Sequence, residues 1–367
     1  MSQRPLEPDW ETVTRFAAVL AGAVALHVGW QYWNAGRIYL HHEIAAMDLL
    51  IYTLAFGLFW LALVEAPRWR HWTGPLILVT VLFTAVVGTY IWTHAVFRTY
   101  ATDVLAFDHY AAQLVLHRVD PYTVSMRPAF QQFHIPLTFQ TLTWDGRLVD
   151  RLSYPAGSFL MFVPFVAAGV ADLRWVVLLS HLAVIGVLYW ASPPRLRPLI
   201  LLPMFAAQEL VEFTGGGVVD FPWVLALLLT VVWQRRPALS GLCFGAACTL
   251  KQEPWFLGPF LIVYYLCELK NVTFRARLVR LGSFVLPATI VFLIVNGVFI
   301  VHNPYNWILG VLEPALGNLI AFGQGPSTVV QLGASISANT FTLLAASLAV
   351  LLLIGYARYF SRLRDAV

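Results

Sequence analysis

The sequence predicts an all-α polytopic membrane protein, and three observations lead there. Of the 367 residues 59% are hydrophobic and only 11% are charged, more apolar surface than one water-soluble globule can bury. Mean hydropathy is +0.71. The apolar residues also come in long runs, and about 20 such residues cross a bilayer as a helix. Runs fall near residues 13–33, 47–65, 75–96, 156–172, 174–191, 198–213, 219–234, 238–250, 254–269, 281–301 and 336–357. The expected architecture is a bundle of about eleven hydrophobic helices.

Taken in order, the first run is preceded by Asp9 and Glu11 and lacks a small-residue cleavage site, so it reads as a retained helix rather than a signal peptide. Residues 1–74 form an accessory pair of helices, 75–335 the core with a polar loop at 98–155, and 336–367 a last helix with a basic tail. Basic residues at Arg68, Arg70, Arg195, Arg197, Arg235, Arg236, 270–280 and 358–364 mark the cytoplasmic side. The polar loop, the Gly215–Asp220 turn, Lys251 and residues 302–335 then share the outer side. Two crossings between Pro155 and Arg195 would put Arg195 outside. Either 156–172 or 174–191 therefore fails to cross, or the two arginines break the rule. Tyr305–Phe322, interrupted by Pro314 and Gly317, reads as interfacial or re-entrant.

Within the loop, Phe107, Tyr110, Ala111, Leu114 and Val115 recur at helical spacing, which suits an amphipathic helix along the interface, stopped by Asp120-Pro121. Residues 138–143 and 147–153 flank Trp144-Asp145-Gly146, the signal of a small hairpin. Tyr154-Pro155-Ala156-Gly157 leads the chain back into an apolar run. His27 and His181, alone in apolar helices, read as hydrogen-bonded core residues. No metal is expected, since His41, His42 and Glu43 diverge by about 100° per residue on a helix. No cofactor and no nucleic-acid partner are expected either.

Asp103, Phe107, Tyr110-Ala111, the Leu114/Leu116 pair and Asp120-Pro121-Tyr122 together resemble a signature of the C-type membrane glycosyltransferases. The nearest resemblance is to the bacterial enzymes that use polyprenyl-phosphate mannose. Tyr154-Pro155, Gly215-Gly216-Gly217-Val218-Val219-Asp220 and Leu250-Lys251-Gln252-Glu253-Pro254 follow in the family's order. The sequence departs where Arg118 replaces the usual glycine before Pro-Tyr and where three glycines fill the turn before Asp220. The resemblance implies a C-type helical bundle acting at the outer face of a bilayer. Its donor would be a polyprenyl-phosphate-linked hexose and its acceptor a glycan, glycolipid or protein.

Such a transfer needs a base beside the acceptor hydroxyl and positive charge beside the leaving phosphate. Asp103, at the outer end of a span, is the first candidate base and Asp108 its competitor. Lys251 lies between apolar runs, where an ionisable side chain is costly and often functional; it binds phosphate or pairs with Glu253, Glu209 or Glu212. Arg118, Arg151, His109 and His117 are further phosphate donors, and Tyr110, Tyr122, Tyr154 and Gln252 further substrate contacts. Asp220 either orders its turn or touches substrate. Trp144, Tyr154, Trp255 and Trp307 are candidate sugar platforms. The residues leave two other classes open: a transporter or lipid-handling protein using Glu209, Glu212, Asp220 and Lys251, and a catalytically silent subunit of a membrane assembly.

Overall fold

The computed structural model describes residues 9–39, 42–65, 69, 71–97, 99–143, 146–267, 273–316 and 338–365. Among them five helices are long and apolar enough to cross a membrane: Trp10–Ala35, His42–Leu63, Thr73–Val96, Arg174–Ala191 and Phe274–His302. The chain is thus an α-helical protein with the helices of a multi-pass membrane protein.

Several expected spans are shorter than their apolar runs. Residues 156–172 form two turns of helix, Gly157–Leu160 and Val163–Ala167. Residues 198–213 break into Arg197–Ile200, Leu202–Ala206 and Glu209–Gly216. Pro164, Pro198 and Pro203 stand at the first positions of these pieces, because proline lacks the N–H that would continue the preceding helix. At about 1.5 Å per residue the stretch Gly157–Ala167 reaches about half of a hydrocarbon core roughly 30 Å thick. Of the two segments expected between Pro155 and Arg195, only Arg174–Ala191 is long enough for a span among the described residues.

The helix of the polar loop, expected over residues 107–116, runs Asp103–Leu116, and beyond it Asp120 caps the turn Pro121–Thr123 by accepting the Tyr122 N–H at 3.0 Å. One other expectation is corrected. The hairpin shrinks to a single antiparallel bridge between Leu142 and Leu148, with no strand among the described residues; Trp144 and Asp145 lie outside them. On either side of the bridge the chain turns to other partners, Gln140 to the Ile135 carbonyl and Asp150 to the Met126 N–H.

The chain forms two compact units, Met1–Leu105 with Asp172–Leu228, and Ala106–Ala171 with Leu229–Val367. In the first unit Ala17, Ala21, Ala25 and Val28 recur along one face of the first helix and are buried with Ile44, Ile51, Ala55 and Leu58 of the second. Small residues at this spacing let helix backbones approach closely. His181 is buried as expected, its Nδ1 3.0 Å from the Thr214 hydroxyl and its ring stacked 3.7 Å from Phe221. His27 instead faces outward and is exposed.

The first unit also anchors the chain just ahead of the Asp103–Leu116 helix. The buried Arg174 guanidinium donates to the carbonyls of Phe97 at 2.9 Å, Thr99 at 3.2 Å and Gly215 at 3.1 Å. It also makes a forked ion pair with Asp172, at 2.7 Å for the shortest bond. The Ala101 N–H donates to the Gly216 carbonyl at 2.9 Å. In the second unit Gly241 and Gly245 bring the helix Pro237–Leu250 against the backbone of Phe284 and Ala288 on Phe274–His302.

Replacing Arg174 by Met would leave the partly exposed Asp172 carboxylate and three carbonyls without their donor, and is expected to cost about 1–3 kcal/mol. Arg174→Lys keeps the charge without the fork and should recover only part of this. Thermal melting of the detergent-solubilised protein measures both; a melting temperature unchanged in Arg174→Met would show that water replaces the network.

Candidate functional site

Residues 153–156, just ahead of the helix Gly157–Leu160, run irregularly inside the second unit, so their polar backbone groups need other partners. Three side chains supply them. Gln252 Nε2 donates to the Ser153 carbonyl at 2.6 Å and to the Val311 carbonyl at 2.7 Å. The Tyr122 hydroxyl donates to the Tyr154 carbonyl at 2.7 Å. Asn296 Oδ1 accepts the Ala156 N–H at 2.8 Å. Next to them, Gly157 rests so close to the adjoining helix that a Cβ would stand 2.6 Å from the Thr249 carbonyl oxygen. The suspended segment presents Ser158, whose hydroxyl donates to Asp108 Oδ1 at 2.7 Å.

Asp108 is 1% exposed, and its second oxygen, Oδ2, is buried and meets no hydrogen-bond donor among the described residues. Burial pushes its carboxyl up to about 7, against the opposing effects of the Ser158 hydrogen bond and the Lys251 ammonium. A carboxyl so placed can hold or release a proton near neutrality. The same burial, with Asp108 and Asp120 nearby, holds the Tyr122 phenol well above its usual range. Its ring packs edge-on to Phe159 at 6.0 Å and Phe299 at 5.5 Å, so Tyr122 is a fixed structural post.

Lys251 follows the helix Pro237–Leu250 in extended conformation. Its side chain is 14% exposed and lies 3.5 Å from Glu253, which is 52% exposed. Of the carboxylates considered as partners, Glu253 pairs with Lys251, and an ion pair with a half-solvated carboxylate is a weak one. Beside the last turn before Lys251, an open apolar cleft of about 320 Å³ is lined by Phe244, Cys248, Trp255, Ala288 and Phe292.

The second unit thus collects Asp108, Lys251, Tyr122, Tyr154 and Gln252. Asp103 and Asp220 belong to the first unit. Asp103 is buried at the start of its helix, and five residues of helix turn it about 140° away from Asp108. Asp220 precedes the helix Phe221–Val232 and accepts the Trp223 indole N–H at 3.0 Å, an ordering contact. His109 is buried with its ring 4.7 Å from Phe133, Tyr110 and Tyr154 are half-buried, and His117, Arg118 and Arg151 are exposed. Trp307 is buried against Phe292, which leaves no open ring face for a sugar. Among the described residues no group of three His, Cys, Asp or Glu could hold a metal; His41 lies outside them.

Sequence reasoning missed Ser158 and Asn296. A lone amide deep in a long apolar helix was the available signal for Asn296; Ser158 carried none. The departure at Arg118 acquires a physical meaning. Arg118 has φ 61, and the Val119 N–H reaches back to the Leu114 carbonyl at 2.8 Å. This is the left-handed helix terminus that favours glycine.

Arg118→Gly is expected to raise stability by about 1 kcal/mol, since it relieves the left-handed strain of a side chain. A lower melting temperature would show that the arginine side chain contributes more than its backbone costs. A second expectation concerns pH. Folding moves the Asp108 carboxyl from 3.8 to about 7, so between those values the folded protein keeps a proton that the unfolded chain has released. The resulting stability is complete below the ordinary carboxylate range and is lost as pH rises through the folded value. Asp108→Asn keeps an acceptor for Ser158, so it should flatten this slope and stabilise the protein above about pH 7 by a few kcal/mol. Melting curves across that range check it, and an unchanged slope would mean that Asp108 titrates normally.

Comparison with protein-family models, with curated proteins and with solved structures finds no match to this chain.

Proposed function

We propose that the protein is a membrane glycosyltransferase of the C type. In this reading it moves a hexose, mannose by resemblance, from a polyprenyl phosphate to a hydroxyl of a glycan, glycolipid or protein at the outer face, with inversion. The observation that carries the reading is the buried pair of Asp108 and Ser158 within the electrostatic reach of Lys251. This centre is assembled from the segments whose order resembles the family signature.

Asp108 acts as the base. Ser158 occupies Oδ1 and leaves Oδ2 to take the acceptor proton, and a carboxyl poised near 7 suits proton abstraction at neutral pH. As the acceptor oxygen bonds to the anomeric carbon, the bond from that carbon to the phosphate oxygen breaks. The phosphate departs as an anion, so no second carboxyl has to protonate it, unlike the leaving group in glycoside hydrolysis. Lys251 stabilises the departing charge, and the apolar cleft beside it receives part of the lipid chain. The remaining apolar segments complete the bundle of about eleven helices expected from the sequence.

The test is transfer of radiolabelled mannose from a purified polyprenyl-phosphate donor to cell-envelope extract. Asp108→Asn should lower the rate by about 100-fold or more, while the wild-type rate should rise with pH through about 7 as the base deprotonates. Asp103→Asn is measured in parallel. A loss confined to Asp103→Asn would place the base at the start of the helix, and equal rates for the wild type and both variants would end the proposal.

A further inference from the structure

The helix Phe274–His302 is the most lipid-like of the long helices, with 11% of its most apolar window buried. Phe284 and Asn296 are its only two buried residues. Asn296 has no exposure at all. Its Nδ2 donates to the Phe292 carbonyl one turn earlier at 3.1 Å, which fixes the amide plane and aims Oδ1 at the Ala156 N–H, 2.8 Å away. Ala156 stands two residues before Ser158, in a segment with little freedom to adjust, because Gly157 is held against the Thr249 backbone and the Tyr154 carbonyl is bound by Tyr122. Ser158 in turn donates to Asp108. A continuous chain of short contacts therefore runs from a spanning helix to the buried acid, and its links are 140 and 50 residues apart in sequence.

We propose that Asn296 is a positioning residue for Asp108: through Ala156 it holds Ser158 in the place from which the hydroxyl sets the protonation of that carboxyl. The inference stands whether or not the protein transfers sugar, because it concerns the state of the acid rather than its use. Other groups also face Asp108. Lys251 is the cation and lowers its proton affinity, Tyr122 stays neutral, and Asp120 acts on the same phenol. Among the described residues the hydrogen bonds of Asn296 go to Ala156 and Phe292 and to none of these groups, so its effect on the acid runs through Ala156.

The experiment follows the infrared carboxyl band of Asp108 in the full-length protein against pH. Each variant is subtracted from its own Asp108→Asn partner, so that only this acid is seen. Ser158→Ala removes a hydrogen bond to the charged form and should move the midpoint up by about one to two pH units. Asn296→Ala should move it in the same direction, and Ser158→Ala with Asn296→Ala should move it no further than Ser158→Ala alone, as expected for residues acting in series. Asn296→Gln keeps a neutral amide acceptor for the Ala156 N–H and should hold the midpoint nearer to the wild-type value than Ser158→Ala does, which also covers the case in which Asn296→Ala does not fold. An unchanged midpoint in Asn296→Ala, additive shifts in the double variant, or a midpoint in Asn296→Gln displaced as far as in Ser158→Ala would each overturn the assignment. None of these outcomes decides whether Asp108 is a catalytic base, which the transfer assay reads separately.

Discussion

A backbone that runs irregularly inside an apolar unit must find partners for its polar groups, because an unsatisfied amide or carbonyl there costs as much as a lost hydrogen bond. Residues 153–156 meet this demand with side chains drawn from three distant places: Tyr122, Gln252 and Asn296. The site depends on that solution. If the segment were one helical turn longer, its carbonyls would be bonded internally and there would be no reason for Gln252 or Asn296 to be polar. The irregular backbone and the polar residues around it are two sides of one requirement, and Ser158 meets Asp108 because the segment is held in this way.

The first unit answers a similar demand by different chemistry. There a single guanidinium serves Phe97, Thr99 and Gly215, and Asp172 balances its charge. Arginine suits the task because its donors are fixed in a planar fork and it stays charged. The second unit uses neutral amides and a phenol for its scaffold and reserves charge for Asp108 and Lys251. This division matters electrostatically. A scaffold without net charge leaves the carboxyl's proton affinity to burial, Ser158 and Lys251.

Run length revealed the long helices well, since Trp10–Ala35, His42–Leu63, Thr73–Val96, Arg174–Ala191 and Phe274–His302 all correspond to apolar runs. It misled where prolines stood inside a run, as at Pro164, Pro198 and Pro203, because hydropathy measures solubility in lipid and says nothing of backbone continuity. In the site, Lys251 was legible as an ionisable residue between apolar runs, Asp108 only as the competitor of Asp103 in a polar loop, and Tyr122 and Gln252 through the segments that carry the resemblance. Ser158 and Asn296 were not. Their roles come from pairings across 50 and 140 residues, and neither periodicity nor spacing encodes which distant backbone group a hydroxyl or amide will meet. The preference between Asp103 and Asp108 could not be read from spacing for a related reason: the two share a helix but face about 140° apart.

The glycine pair Gly241 and Gly245 gives the helix Phe274–His302 a fixed axial setting. With no side chains between the two backbones at Phe284 and Ala288, the helices mesh like a toothed rack, and slippage can come only in whole steps. A slip of one helical turn is about 5.4 Å, twice the length of the bond from Asn296 to Ala156. The helix is therefore either in register, with its amide opposite the suspended segment, or out of it altogether. Bilayers that thicken or thin around such a helix can tilt it, but sliding it along its partner would have to break the close backbone contacts at Gly241 and Gly245.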